Sequence, residues 1–515
     1  MTRSRDLNWQ LLASISAVLI LAAPLWCVAS PAMPDYPAHL ASFYLIGGGA
    51  SQYFRVEWAF VPNLAGEMFV PLLAKLMPLE IATKLFLTIT VGLWVLGPAT
   101  IQRALFGKAG LGGLFAASLT YNAAFLWGFF NYTFAIGLSF FVLAGWIATE
   151  GRRRSLHLAG FAAAFVLVYF LHLFALATLV LMISCFELAA QSQHNTSPVR
   201  QSANRLAILA ALLVPAAFCF FVLKPAGDDA TIQFNLFDTM AERFEAAIQL
   251  GFDQPAYAIA GTLIALFVIG LATRRLHVAT RMKLGLLILL LCTIFAPESA
   301  LGGWGVHLRL PSVLGAIALA SSDTNLPRRW MLAGVASALV LFAFQATTLA
   351  SQWRKTDLRY SEFRAAANAI TANDRLLTVL DGVSLGWSAD QPYWHMAEFA
   401  VIDRSAFTPL LFTTRGQHVI HLLEPMKRFA AATALQGSPP DIDELNDLAA
   451  GRHVFDQNDR DLFPYLTFFQ CHYDQAVVIN GDEPVSRAPA MLRLRHMGSF
   501  FAIYDIVRGS KCTRP

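Results

Sequence analysis

The residues best suited to chemistry lie just after the first long apolar run, in Met33-Pro34-Asp35-Tyr36-Pro37-Ala38-His39-Leu40. A helix starting at Asp35 or Tyr36 puts Asp35 and His39 four residues apart on one face, with the carboxylate near the helix start. In an outer cleft such a carboxylate is a candidate general base, and an imidazole beside it tunes it or helps to bind a phosphate or a metal. On spacing alone the pair reads more readily as a helix N-cap, Asp35, and an interfacial residue, His39.

Arg309 sits in Gly302-Gly303-Trp304-Gly305-Val306-His307-Leu308-Arg309-Leu310-Pro311, where an arginine enters an apolar run beside His307. Its planar fork suits a phosphate or diphosphate, and equally a lipid headgroup. His172, in Tyr169-Phe170-Leu171-His172-Leu173-Phe174, falls at a turn between two apolar runs. It reads as a ligand contact or as a satisfied cap. Asn63 and Glu67 are one helical turn apart in a segment that an amphipathic surface helix also explains, with Glu57 just before it. Asn122 and Asn131, the latter in Trp127-Gly128-Phe129-Phe130-Asn131-Tyr132, are costly in lipid and should face protein or a cavity. Asn131 and Trp127 are therefore counted with Arg309, His307, His172, Asn63 and Glu67 as candidate substrate-binding residues, and Asp35 and His39 as catalytic ones.

Some chemistries have no visible basis. The chain has no CxxC, HExxH, P-loop or GxGxxG, so neither ATP hydrolysis nor nucleotide redox chemistry is indicated. No certain cofactor follows; a divalent metal stays open, without identified ligands. The net charge of +4 comes without a basic stripe interleaved with aromatics, which argues against a nucleic-acid partner.

These residues need a membrane scaffold. The chain is 56% hydrophobic and 14% charged, against about 25% charged in ordinary globular proteins. Its apolar residues gather in runs near 9–29, 81–100, 110–126, 131–149, 157–171, 173–190, 206–223, 255–273, 284–297, 308–321 and 330–350. That predicts an all-α polytopic domain over residues 1–350 with about eleven transmembrane helices. The first run is read as a retained helix, because it is long and Pro31 makes a poor cleavage context. With a cytoplasmic N-terminus, Arg103, Lys108, Arg152–Arg154, Arg200, Arg205, Arg274, Arg275, Arg281, Lys283, Arg328 and Arg329 all fall inside. The outer side then receives residues 30–79, 224–254, 297–307 and everything after 351. Within 224–254, Asp228, Asp229, Asp238, Glu242, Glu245 and Asp253 make a mildly acidic surface.

After residue 351 the composition turns mixed. A helix is expected over 357–370 and strands over 375–380, 476–479 and 500–506, giving a small extracytoplasmic α/β domain over 351–515. Cys471 and Cys512 lie in this outer part, where an oxidising compartment permits a disulfide.

An outer Asp just after the first span, amphipathic helices in the first loop, an arginine entering a helix and a trailing outer domain together resemble the GT-C superfamily of membrane glycosyltransferases. The relatives in view are protein O-mannosyltransferases and transferases that decorate lipid A. The resemblance implies a polyprenyl-phosphate-linked sugar donor, a glycan, lipid or protein acceptor, and a first-loop carboxylate, here Asp35, as base or acceptor-positioning group. Many members carry two acidic residues close together in that loop; here Asp35 stands alone until Glu57. It also implies a multi-pass protein of a bacterial inner membrane, in contact with its lipids. A transporter or flippase, a polysaccharide ligase or polymerase, and a non-enzymatic envelope assembly protein are the competing readings. Against transport, no internal repeat is evident and the polar outliers cluster toward one face.

Overall fold

The computed structural model describes residues 2–151, 154–189, 198–227, 232–237, 239–249, 254–301, 303–324, 326–381, 391–424, 426–428, 439–452, 465–481, 483–488, 491–508 and 512. Arg152, Arg153, Asp228, Asp229, Asp238 and Asp253, singled out above for loop charge, lie outside them.

The apolar runs become helices. Among the described residues four are long and apolar enough to cross a membrane: Leu79–Phe106, Phe130–Ala148, Ala203–Leu223 and Arg328–Ala369. Shorter apolar helices are Gln10–Trp26, Ser155–Leu171, Leu173–Leu188, Tyr257–Ala272 and Val306–Ala320. The run at 110–126 is not one helix. It folds as the short helix Leu111–Phe115, a 3-10 turn Ala116–Tyr121 and a second short helix Ala123–Trp127. The break falls at Asn122, whose extended backbone and side-chain oxygen, accepting from the Phe125 N–H at 3.2 Å, start the second helix afresh.

Residues 357–370 are not a separate helix either. The helix Arg328–Ala365 runs unbroken from the last apolar run into the polar region. Asp357 on it accepts the backbone N–H groups of Ala29 and Ser30, both at 2.8 Å. Lys84, buried on Leu79–Phe106, donates to the Val28 carbonyl. The exit of the first helix is thus pinned by two other helices, and Asp35 follows five residues after Ser30, the last residue of that pinned turn.

Beyond it, Leu376–Leu380, Gln475–Ile479, Leu492–Met497 and Phe501–Ile506 form one sheet. Leu376–Leu380 pairs in parallel with Gln475–Ile479, which pairs antiparallel with Phe501–Ile506, itself antiparallel to Leu492–Met497. The two inner strands are apolar on both faces, as strands covered on both sides must be. Cys471 and Cys512 are disulfide-bonded. This region is knitted to the first loop: the strand Phe54–Val56 pairs antiparallel with Ile420–Leu422. Arg364 holds Asp403 at 2.7 Å and Glu80 at 3.2 Å.

Candidate functional site

The helix Tyr36–Ile46 begins where the sequence places it, with Asp35 at the N-cap position, yet the Asp35 side chain makes no capping hydrogen bond. The backbone carries the junction instead: the Asp35 N–H donates to the Trp127 carbonyl at 3.0 Å, and the Asp35 carbonyl accepts from His39 at 2.9 Å. Gly128, at φ +98°, lies against Asp35 so closely that a Cβ there would come within 2.9 Å of the Asp35 Cβ. The carboxylate is therefore not used as a helix cap.

Its surroundings set its acidity. Burial pushes the Asp35 carboxyl up to about 6, against the pull of His395 and then Arg309 toward the ionised form. His395 reaches it from the C-terminal region, Nε2 to Oδ1 at 3.7 Å, and on its other side faces Glu398 at 3.5 Å. His39 does not join this group through its ring. Its imidazole stacks on Phe130 at 4.6 Å and meets Phe412 edge-on at 5.1 Å, and burial drops it to about 3, so it stays neutral.

Arg309 enters from the helix Val306–Ala320. The side chain is buried, makes no ion pair among the described residues, and its Nε has no hydrogen-bond partner there. Aromatic faces hold the guanidinium: Phe129 at 4.6 Å, Tyr132 at 5.6 Å and Phe174 at 5.6 Å. It borders a cavity of about 130 Å³ that is also lined by Asn63, His172, Phe174, Lys224 and Gln417. His172 caps the helix Leu173–Leu188 by accepting the Phe174 N–H at 3.2 Å, and burial holds its ring well below the ordinary histidine value. It offers this cavity a neutral imidazole. Gln417 closes one wall by donating to the Leu301 carbonyl at 2.6 Å.

The remaining candidates divide. Asn131 gathers two of them, its amide donating to the Asn63 carbonyl and to Glu67 Oε2, both at 2.8 Å, while its oxygen accepts the Gly66 N–H at 2.6 Å. Asn63 has φ +76° and precedes the helix Ala65–Leu73, so it meets Glu67 through Asn131 and not across a helical turn. Burial raises Glu67 to about 7, opposed by its own backbone hydrogen bond and by Asn131. Trp127 packs on Trp304 at 5.1 Å. His307 turns away from Arg309 to meet Glu242 at 2.8 Å. Glu57 pairs with Arg55 at 2.9 Å on the surface.

The cavity thus brings together Arg309, His172, Asn63 and Lys224, while Asp35, outside its lining, meets His395 with Glu398 behind it and feels the charge of Arg309; His395, Glu398 and Lys224 are members that sequence reading did not select. The spacing of His395 and Glu398, three residues apart, is a local signal; their approach to Asp35 has none. Among the described residues no group of three His, Cys, Asp or Glu side chains is placed to hold a metal ion.

No family model matches the sequence, and no curated protein is similar to it in sequence. The fold does have relatives. It is similar to the crystal structure of ArnT from Cupriavidus metallidurans in the apo state, at a TM-score of 0.51 and 12% identity, covering 99% of each chain. A cryo-EM structure of the arabinofuranosyltransferase AftD from mycobacteria aligns at a TM-score of 0.40 and 16% identity, over 98% of this chain and 42% of that one. The likeness to ArnT is one of fold, spans the whole chain, and agrees with the kind of fold expected from the first-loop pattern.

Proposed function

We propose that this protein is a membrane glycosyltransferase that moves a sugar from a polyprenyl-phosphate donor to an acceptor hydroxyl on the outer side of a bacterial inner membrane. The observation that carries the reading is the buried guanidinium of Arg309, without an ion pair among the described residues, lining a cavity and acting electrostatically on the partly buried Asp35. A buried cation left unpaired costs several kcal/mol, and a phosphate entering the cavity would offset that cost by supplying the missing anion. Lys224 on the same wall adds a second positive charge.

The chemistry follows from the two groups. The acceptor oxygen attacks the anomeric carbon, the bond from that carbon to the phosphate oxygen breaks, and the lipid phosphate leaves with the electron pair. Arg309, with Lys224, stabilises the charge developing on the leaving group. Asp35 takes the acceptor proton; a carboxyl raised to about 6 is ionised at neutral pH yet basic enough to be protonated in the transition state. Asn63 and His172 offer the donor neutral hydrogen-bonding groups.

The test is transfer in proteoliposomes supplied with a panel of polyprenyl-phosphate sugars and an envelope lipid extract as acceptor. Product that forms with the wild type and disappears in Asp35→Asn supports the reading. Undiminished transfer by Asp35→Asn contradicts it.

A further inference from the structure

We infer that His395, held by Glu398, is a positioning residue that sets the charge of Asp35, so that the C-terminal region supplies part of the catalytic centre. The inference rests on the reading of Asp35 as the base. Its geometry is a line of three side chains from two distant parts of the chain: Glu398 Oε1 to His395 Nδ1 at 3.5 Å, then His395 Nε2 to Asp35 Oδ1 at 3.7 Å.

Glu398 is the part that fold stability alone does not explain. It is 0% exposed, and apart from the His395 contact neither of its oxygens has a hydrogen-bond partner in another residue among those described. A buried carboxylate so placed must give up its charge or hold a cation. The ion-pairing partner at hand is His395, itself buried. Burial pushes the His395 imidazole down, but Glu398 and Asp35 outweigh it, and the net shift is upward. Burial likewise raises Glu398, with His395 opposing.

Neighbouring imidazoles behave in the opposite way, which isolates the effect. His39, His395 and His418 all pack on the Phe412 ring, at 5.1, 5.3 and 5.5 Å. Burial drops His39 to about 3 and His418 to about 4. Only His395 of these three stands between carboxylates. The charged or titratable groups facing it are Glu398 from its own turn, Asp35 from the loop before Tyr36–Ile46, and His39 from that helix; Arg309 acts on Asp35 as well. The His395 imidazolium, with Glu398 behind it, thereby favours ionised Asp35 from beside one of its oxygens, leaving the other for the acceptor proton.

The experiment is histidine titration by NMR on the full-length, detergent-purified protein with labelled imidazoles, the His395 signal being identified by its loss in His395→Gln. His395 should titrate above free histidine in the wild type, and its midpoint should move down in Glu398→Gln and again in Asp35→Asn, with His39 neutral throughout. A His395 that titrates at or below free histidine, or whose midpoint is the same in all three proteins, overturns the inference. This readout needs no substrate, so it fails or succeeds independently of the transferase reading. Once transfer is measurable, His395→Gln should move the acid limb of kcat to higher pH and leave KM unchanged. An equal loss of kcat at every pH would reduce His395 to a structural role.

Discussion

Gly128 leaves no room for a side chain beside Asp35: a Cβ added at Gly128 would lie 2.9 Å from the Asp35 Cβ and 3.3 Å from its nitrogen. Gly128 also has φ +98°, a conformation costing an L-residue about 1–2 kcal/mol. Gly128→Ala should therefore displace the very residue assigned as base. Sugar transfer is expected to fall at least about tenfold, since misplacement by an ångström has large kinetic effects, while the protein still purifies as a folded species. Transfer rates beside the thermal unfolding of the variant check this.

The raised pKa of Asp35 has a consequence for stability. Its folded value, about 6, is above the ordinary 3.8. The folded state therefore binds a proton more tightly than the unfolded state, and wild-type stability declines as pH rises from about 4 to about 6. The full penalty, at most about 3 kcal/mol, is present above that range. Asp35→Asn removes it. The variant should melt at a higher temperature than wild type at pH 8, and the difference should close below pH 4. Melting curves at both pH values decide it; a variant less stable at pH 8 would contradict the burial argument.

Asn131 satisfies Gly66, Asn63 and Glu67 at once. Asn131→Leu strands a backbone N–H, a carbonyl and a buried carboxyl, each worth about 1–3 kcal/mol when left unpaired. Strong destabilisation is expected, partly relieved at low pH, where Glu67, already raised to about 7 by burial, is protonated. Expression level and melting temperature across pH 5 to 8 measure both effects.

The Cys471–Cys512 bridge spans a sequence separation of 41 residues. The chain-entropy treatment assigns such a loop about 4 kcal/mol. Reduction, or Cys471→Ser, should make the C-terminal region sensitive to protease while leaving fragments of the apolar helices intact, a pattern that mass spectrometry of limited digests would show.

Much of this was readable in the sequence. The strands near 376–380, 475–479 and 501–506 announced themselves through runs of Val, Leu, Ile and Phe, and the start of Tyr36–Ile46 through Asp35 and Pro37. Local patterning also marked Arg309, because a charge at the edge of an apolar run stands out. Where the outcome depended on distant partners, the pattern was silent. The run 110–126 has the composition of a span, but the Asn122 cap divides it. His39 has the right spacing to serve Asp35, yet aromatic packing by Phe130 and Phe412 takes its ring elsewhere. His395 reaches Asp35 across an interface between the first loop and the C-terminal region that includes the pairing of Phe54–Val56 with Ile420–Leu422, which no local spacing encodes.

The central claim, a lipid-phosphate donor site built on Arg309 beside a catalytic Asp35, is tested most directly by thermal unfolding of the detergent-purified protein with and without undecaprenyl phosphate. A ligand that binds only the folded state raises the melting temperature by mass action. The account predicts a rise for the wild type, the same rise for Asp35→Asn, and none for Arg309→Ala. No rise in any of the three, or a rise undiminished in Arg309→Ala, would contradict it.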